Sequence, residues 1–158
     1  MKKLLVCSDS HGNDAALRAA AALEKPDLLL FLGDGAPDLD ALRAAFPALD
    51  VRAVRGNCDW ASAAPELRVL QVEQLRVFMT HGHRYRVKDD PGLMNLRYAA
   101  LERGAALALF GHTHWPSLDR WEGLTVLNPG AMENGCYATV TVDGETLTAQ
   151  LRKLAERE

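Results

Sequence analysis

The sequence has no isoleucine, three cysteines among 158 residues, and no excess of positive charge. The missing isoleucine, with 13 arginines against 5 lysines, reads as genome composition rather than function. Cys7, Cys58 and Cys136 are odd in number, far apart and without a CxxC pair. A disulfide framework is therefore disfavoured, and a reducing cytoplasm is the expected location. No apolar run approaches the ~18 residues of a spanning helix, so a membrane protein is not expected. The apolar start stops after Cys7, too short for a signal-peptide core, and Asp9 and His11 follow at once. It is expected to be the first strand of an intracellular protein. With 18 basic and 21 acidic residues the formal charge is −3, which offers no electrostatic footprint for long nucleic acids or anionic membranes. Length suits one domain over 1–158, able to bury a core without staples.

The order of elements is legible from periodicity. Lys3 to Ser8, Asp27 to Leu32 and Asp50 to Val54 read as buried strands. They alternate with helices over Asp14 to Glu24, N-capped by Asn13, and from Pro37 and Asp38 to about Phe46. That β-α-β-α-β order predicts parallel strands with helices on the sheet faces. Strands follow at Leu67 to Gln71 and Leu75 to Thr80, then a helix over Pro91 to Glu102 and a strand over Ala105 to Phe110. Short strands near Leu118–Trp121, Leu124–Leu127, Tyr137–Val142 and Thr146–Leu151, with turns at Glu122-Gly123 and Asp143-Gly144, read as hairpins. This antiparallel tail is expected to form a second sheet packed on the first.

All five histidines fall in three short clusters, and five polar clusters stand where predicted strands end. They are Asp9-Ser10-His11, Gly33-Asp34, Gly56-Asn57-Cys58-Asp59, His81-Gly82-His83 and Gly111-His112-Thr113-His114. Ligands of open α/β sheets bind outside the carboxyl ends of strands. If strand geometry persists, Asp9 with His11 and His112 with His114 each face one way. Glycines 33, 56, 82 and 111 are expected to let the backbone turn and come close to whatever is bound. Carboxylate, imidazole and amide side chains without a thiolate quartet disfavour a closed structural zinc site. Asp9, His11, Asp34, Asn57, His81, His112 and His114 are too many for one tetrahedral ion and suit two ions sharing a carboxylate. Such a pair would make a water into hydroxide near neutral pH and clamp a phosphoryl oxygen.

The ordered set resembles the calcineurin-like metallophosphoesterase superfamily, and within it the small bacterial and archaeal phosphodiesterases of the YfcE type. The motifs run from Asp9-Ser10-His11 through Gly33-Asp34, Gly56-Asn57-Cys58-Asp59 and His81 to Gly111-His112-Thr113-His114, with Asn128-Pro129-Gly130 beyond. The resemblance implies a four-layer α/β/β/α sandwich, two mixed sheets flanked by helices, with no cap domain. It implies that Asp9, His11, Asp34 and His114 hold one divalent metal and Asp34, Asn57, His81 and His112 the other. Asp34 would bridge, and Asp34 and Asn57 would carry catalysis. Manganese is the metal expected by resemblance, with nickel, iron or zinc as alternatives. The implied activity is phosphodiester hydrolysis on small organic phosphates, bridging hydroxide being the nucleophile, in a protein that forms a dimer or tetramer. Alternatives are an interaction scaffold of the same fold, as in the small subunit of the retromer coat, and a small nuclease. The filled ligand set argues against the first; the short chain and its net charge argue against the second.

Position 58 departs from the pattern. Many relatives have histidine there, read as the group that protonates the leaving oxygen or contacts the phosphate. Cys58 cannot offer an imidazolium proton, and nearby cations would favour its thiolate. Diesters with good leaving groups are the expected substrates, with Cys58 and His83 the candidates for substrate binding. His83 is read evenly as a residue orienting a ligand, a phosphate contact or polar rim. The expectation for Asp59 is that it holds its loop through backbone hydrogen bonds. Arg55, Arg84 and Arg86 are expected to be solvated surface, with phosphate contacts as the alternative, and Trp60, Trp115 and Trp121 to have packing roles, with an aromatic rim as the alternative.

Overall fold

Alternation within each apolar run decides which layer a side chain enters. In the computed structural model, which describes residues 1–155, the chain runs β1 (Lys2–Cys7), α1 (Asp14–Glu24), β2 (Leu28–Phe31), α2 (Ala36–Ala45) and β3 (Asp50–Ala53). It continues through β4 (Leu67–Val72), β5 (Leu75–Thr80), α3 (Met94–Glu102), β6 (Leu107–Leu109), β7 (Ser117–Trp121), β8 (Leu124–Asn128), β9 (Cys136–Asp143) and β10 (Thr146–Lys153). On β1, Leu4 and Val6 enter a core between two sheets, while Leu5 and Cys7 enter a second core with Leu17 of α1 and Leu42 of α2. On the other sheet, Val77 and Met79 join the central core, while Phe78 packs with Leu96 and Ala100 of α3. A strand buried on both faces has no polar position, which is why these segments read as unbroken apolar runs.

The layers are α1/α2, sheet, sheet, α3: an α/β/β/α sandwich of two mixed five-stranded sheets. The first has the order β10-β9-β1-β2-β3 and the second β4-β5-β6-β8-β7. β1, β2 and β3 pair in parallel, as do β5, β6 and β8; the outer pairings are antiparallel.

The antiparallel tail does not form a sheet of its own. The β7–β8 hairpin completes the second sheet, whereas the β9–β10 hairpin returns to the first, with β9 antiparallel to β1. Ala138, Val140 and Val142 on β9 are all buried in the inter-sheet core, and that demand directs the hairpin there. The third helix starts at Met94, later than the predicted Pro91, because Leu93 is left-handed (φ 53°). Among the described residues, no helix is long and apolar enough to cross a membrane.

A buried polar contact ties α1 to β9. Tyr137 donates its hydroxyl to Glu24 Oε2 at 2.6 Å, and Lys3 Nζ reaches Glu24 Oε1 at 3.0 Å. Burial opposes the charge on Glu24, but Tyr137 and Lys3 outweigh it and hold the carboxyl below its ordinary value. A lowered folded pKa contributes stability that is full above the unfolded value and fades as the pH falls through the folded one. Tyr137→Phe is expected to cost about 2 kcal/mol, the usual worth of a hydrogen bond to a charged group. Urea denaturation at pH 7 measures that loss; at a pH low enough to protonate Glu24 the difference between the two proteins should shrink.

Candidate metal centre

The five motif loops meet at one end of the sandwich, where β1, β2, β3, β5 and β6 all finish. Backbone hydrogen bonds stitch them together. Asp9 N donates to Gly33 O at 2.9 Å, His11 N to Asp34 O at 3.2 Å and Gly111 N to His81 O at 2.9 Å. The chain does not stay extended there. Asp9, His11, Asp34, His112 and His114 all have positive φ, between 40° and 70°, so the expected two-residue alternation ends with the strands. His112 and His114 accordingly part company and serve different clusters.

Six of the seven candidate ligands fall into two groups of three, Asp9–His11–His114 and Asp34–His81–His112. Within each group the ligand atoms lie within 4.8 Å of one another. Asp34 stands beside both, with Oδ2 at 3.2 Å from His81 Nε2 and 3.9 Å from His11 Nε2. Asn57 is exposed on the adjoining loop, its amide nitrogen 3.7 Å from Cys58 Sγ.

Each central aspartate divides its two oxygens between loop and site. Asp9 Oδ2 accepts hydrogen bonds from the Ser8 hydroxyl and from His112 N. Asp9 Oδ1 is buried without a hydrogen-bond partner. Toward it point His114 Nε2 at 3.2 Å, His11 Nε2 at 3.5 Å and His81 Nε2 at 3.8 Å. Asp34 Oδ1 accepts from Cys58 N at 2.8 Å, leaving Oδ2 to face the imidazoles.

The histidine tautomers suit a cation. His81, fully buried, places Nδ1 2.7 Å from Leu32 O. That contact assigns a proton to Nδ1 and turns Nε2 toward His112 Nδ1 and Asp34 Oδ2, each at 3.2 Å, where it can bind a cation once its own proton is released. Burial disfavours charge on His81, yet Asp34 and Asp9 prevail and its pKa lies above the ordinary value. Burial, and then His81, push His112 down to about 4. Burial also opposes ionisation of Asp34, but the His81 hydrogen bond and charge hold its carboxyl far below the usual range. The site is thus a buried pocket in which carboxylate oxygens and imidazole nitrogens converge. An orphaned carboxylate oxygen ringed by imidazole nitrogens fits divalent metal ions.

Residues outside the ligand set hold it in place. Asp59, only 7% exposed, accepts four backbone hydrogen bonds: from Asp34 N at 2.7 Å, Gly56 N at 2.9 Å, Gly35 N at 3.0 Å and Ala36 N at 3.1 Å. The last two are free donors of the first turn of α2, whose N-cap Gly35 has no side chain to satisfy them. Asp38 Oδ2 takes the Ser10 hydroxyl at 2.6 Å and Gly12 N at 2.8 Å. Asn128 spans from Gly111 O to Thr113 Oγ1 and accepts from Gly130 N. Asp38 and Ser10 were not legible as supports, since they pair across 28 residues of sequence. The motif glycines make room for one another rather than for a ligand. A Cβ on Gly56 would strike the Asp34 carboxylate and backbone, and one on Gly111 the Ser8 hydroxyl and Asp9 Oδ2.

Of the remaining candidates, Cys58 is exposed, and the protein's own groups (partial burial, then Asp34) push its thiol up. His83 sits in a short 3-10 turn, its ring 5.5 Å from that of His81 and 6.1 Å from that of His112. Arg55 and Arg84 are not free: both pair with Glu66, each at 2.9 Å from Oε1. Packing holds for Trp121, which meets Tyr98 edge-on and carries Arg97 over its face. It fails for Trp60 and Trp115, which are 90% and 76% exposed, because both follow directly from loops whose polar residues turn inward.

Comparison with known proteins agrees with this geometry. Residues 1–145 match the calcineurin-like phosphoesterase superfamily domain, and the chain belongs to that family. It is similar to "Probable metallophosphoesterase YsnB" of Bacillus subtilis, 30% identical over 98% of this chain and 93% of the relative. It is also similar to "Phosphodiesterase YfcE" of Escherichia coli K12, 31% identical over 96% of this chain and 98% of that one. Among solved structures, a predicted phosphoesterase from Streptococcus pneumoniae TIGR4 superposes with a TM-score of 0.81 at 28% identity, over 96% of this chain and 89% of that one. Vps29 from Chaetomium thermophilum reaches 0.80 at 21% identity, over 100% and 91%, a likeness of fold alone. The family is one of metal-dependent phosphoesterases, hydrolases of phosphate esters.

Asp59→Ala would leave four backbone donors without their acceptor, each costing about 1–3 kcal/mol where buried. It is expected to destabilise the protein by at least ~3 kcal/mol in urea and to weaken metal binding at least about tenfold. Asp59→Asn, which keeps one oxygen, should lose less on both measurements.

Proposed function

We propose that the chain is a dinuclear-metal phosphodiesterase that hydrolyses small organic phosphodiesters, most readily those with good leaving groups. The observation that carries this reading is the pair of adjacent ligand groups, Asp9–His11–His114 and Asp34–His81–His112, with Asp34 within 4 Å of imidazoles from both. Asp34 is assigned as the shared ligand. The amide of Asn57, on the loop whose Cys58 N is bonded to Asp34, is assigned to the second set. Two divalent ions so held, manganese by family resemblance, would activate a water near neutral pH and neutralise charge on the phosphoryl oxygens.

The chain's own residues supply position and field. Asp59 and Asp38 keep the loops from moving when charge is brought in, and His81 is locked in one tautomer by Leu32 O. His83, beside His81 and His112, is assigned to the substrate side of the second group. Cys58 is assigned no general-acid role: a thiol has no imidazolium proton to give, and beside two cations it would tend to thiolate, which protonates nothing. Activity is therefore limited by how well the leaving oxygen carries negative charge. All three cysteines are free, in keeping with a cytoplasmic setting. One catalytic domain over residues 1–158, assembling as a dimer or tetramer, completes the proposal.

Chelated protein should not cleave bis(p-nitrophenyl) phosphate, and added Mn²⁺ should restore turnover; undiminished activity after thorough chelation overturns the reading. Asp34→Ala and His112→Ala should each lose at least about 100-fold in kcat/KM, the scale of one ion's several kcal/mol. Circular dichroism should show both variants folded. Retention of rate in both would place the chemistry elsewhere.

A further inference from the structure

Next to the second ligand group lies a groove of about 430 Å³, lined by Arg55, Asn57, Trp60, Glu66, His83 and Arg84. Its inner end is the metal centre: Asn57 precedes the residue whose N–H holds Asp34, and the His83 ring is 6.1 Å from that of His112. Its wall is unusual in one respect. Trp60 is 90% exposed, although an indole is among the largest apolar bodies a chain can bury. Nor is its position a matter of slack backbone. It follows Asp59, whose carboxylate is fixed by four backbone donors, and Ser62 N closes back onto Asp59 O at 3.2 Å. The loop thus holds an aromatic face in water beside the proposed metal site.

The two arginines in this groove are also held. Glu66 takes Arg55 Nη2 and Arg84 Nη2 on Oε1, and Arg84 Nε on Oε2 at 2.8 Å. With Glu66 and Asp59 both in the lining the two guanidiniums are formally balanced; Glu66 orients Arg84 through two nitrogens and ties Arg55 beside it. Indole faces and guanidinium planes accept the same partner, a flat π-system, by stacking and by cation–π attraction. The volume accommodates a ring with a sugar or a second substituent.

We propose that this groove binds the organic part of the substrate and that Trp60 selects esters bearing a flat ring, an aryl group or a nucleobase. The inference rests on the phosphodiesterase reading for the placement of the phosphate, and names the substrate class for that site. Trp60 is a specificity residue here, not a catalytic one.

Calorimetric titration of the full chain in Mn²⁺ buffer with phenyl phosphate, thymidine 5′-phosphate and methyl phosphate tests it. The three ligands carry the same phosphate and differ in the ring. The ring-bearing ligands should bind roughly tenfold tighter than methyl phosphate, the scale of one stacked ring. Trp60→Ala should bring them to the level of methyl phosphate, whose own affinity is unchanged, and Trp60→Phe should keep most of the preference. Tighter binding of phenyl phosphate points to aryl esters, and of thymidine 5′-phosphate to nucleotide esters. Three ligands binding within twofold of one another, or none binding, overturn the proposal, as does a ring preference that survives Trp60→Ala. Hydrolysis of bis(p-nitrophenyl) phosphate by the same preparation reports separately. Turnover without ring preference overturns this inference alone, and ring preference without turnover overturns the catalytic reading alone.

Discussion

The candidate site depends on one buried carboxylate more than on any of its ligands. Asp59 gathers the N–H groups of Asp34, Gly35, Ala36 and Gly56, so that the loop after β2, the first turn of α2 and the loop after β3 share a single acceptor. Asp34 returns the contact by accepting from Cys58 N. Each loop thus holds the other's aspartate. The donors at the start of α2 would otherwise be unsatisfied, and a negative charge there is also favoured by the helix dipole. Only glycine at 56 lets the two loops come this close, because any Cβ would occupy the place of the Asp34 side chain.

The same economy governs the aspartates that face the histidines. Burying several carboxylates and imidazoles together is costly unless their lone pairs and protons are matched. Asp9 and Asp34 each use one oxygen to fasten a loop and present the other to imidazole nitrogens. His81 uses one nitrogen for Leu32 O and presents the other. The leftover atoms converge: Asp34 and Asp9 draw His81 toward protonation against its burial, while burial and then His81 push His112 away from it. Positive φ at five of these residues is the backbone strain that such convergence demands.

The fold alone does not decide what the site does. Vps29 has the same sandwich at 21% identity, and the central core of leucine, valine and methionine says nothing of substrate. In the proposed reading selectivity falls to the rim, where this chain has Cys58, an exposed Trp60 and two arginines tied to Glu66.

Features written in local pattern can be read from the chain before it folds. The doubly buried strands are legible because both faces need apolar residues, and the motif loops because Asp, His and Gly cluster where those runs stop. Asn13 is legible as a cap because it bonds Ala16 N three residues on. Contacts between distant segments were not legible. The β9–β10 hairpin looks the same on paper whether it joins one sheet or the other; burial of Ala138, Val140 and Val142 between the sheets decided it. His112 and His114 share a motif but not a cluster, because left-handed turns replace the alternation of a strand. Trp60 and Trp115, apolar by composition, ended in solvent because the loops beside them turn their polar side chains inward. Hydrophobic periodicity is a property of neighbours in the chain. The meeting of Asp59 with Asp34, or Ser10 with Asp38, is a property of the packed sandwich, and only the tertiary structure could supply it.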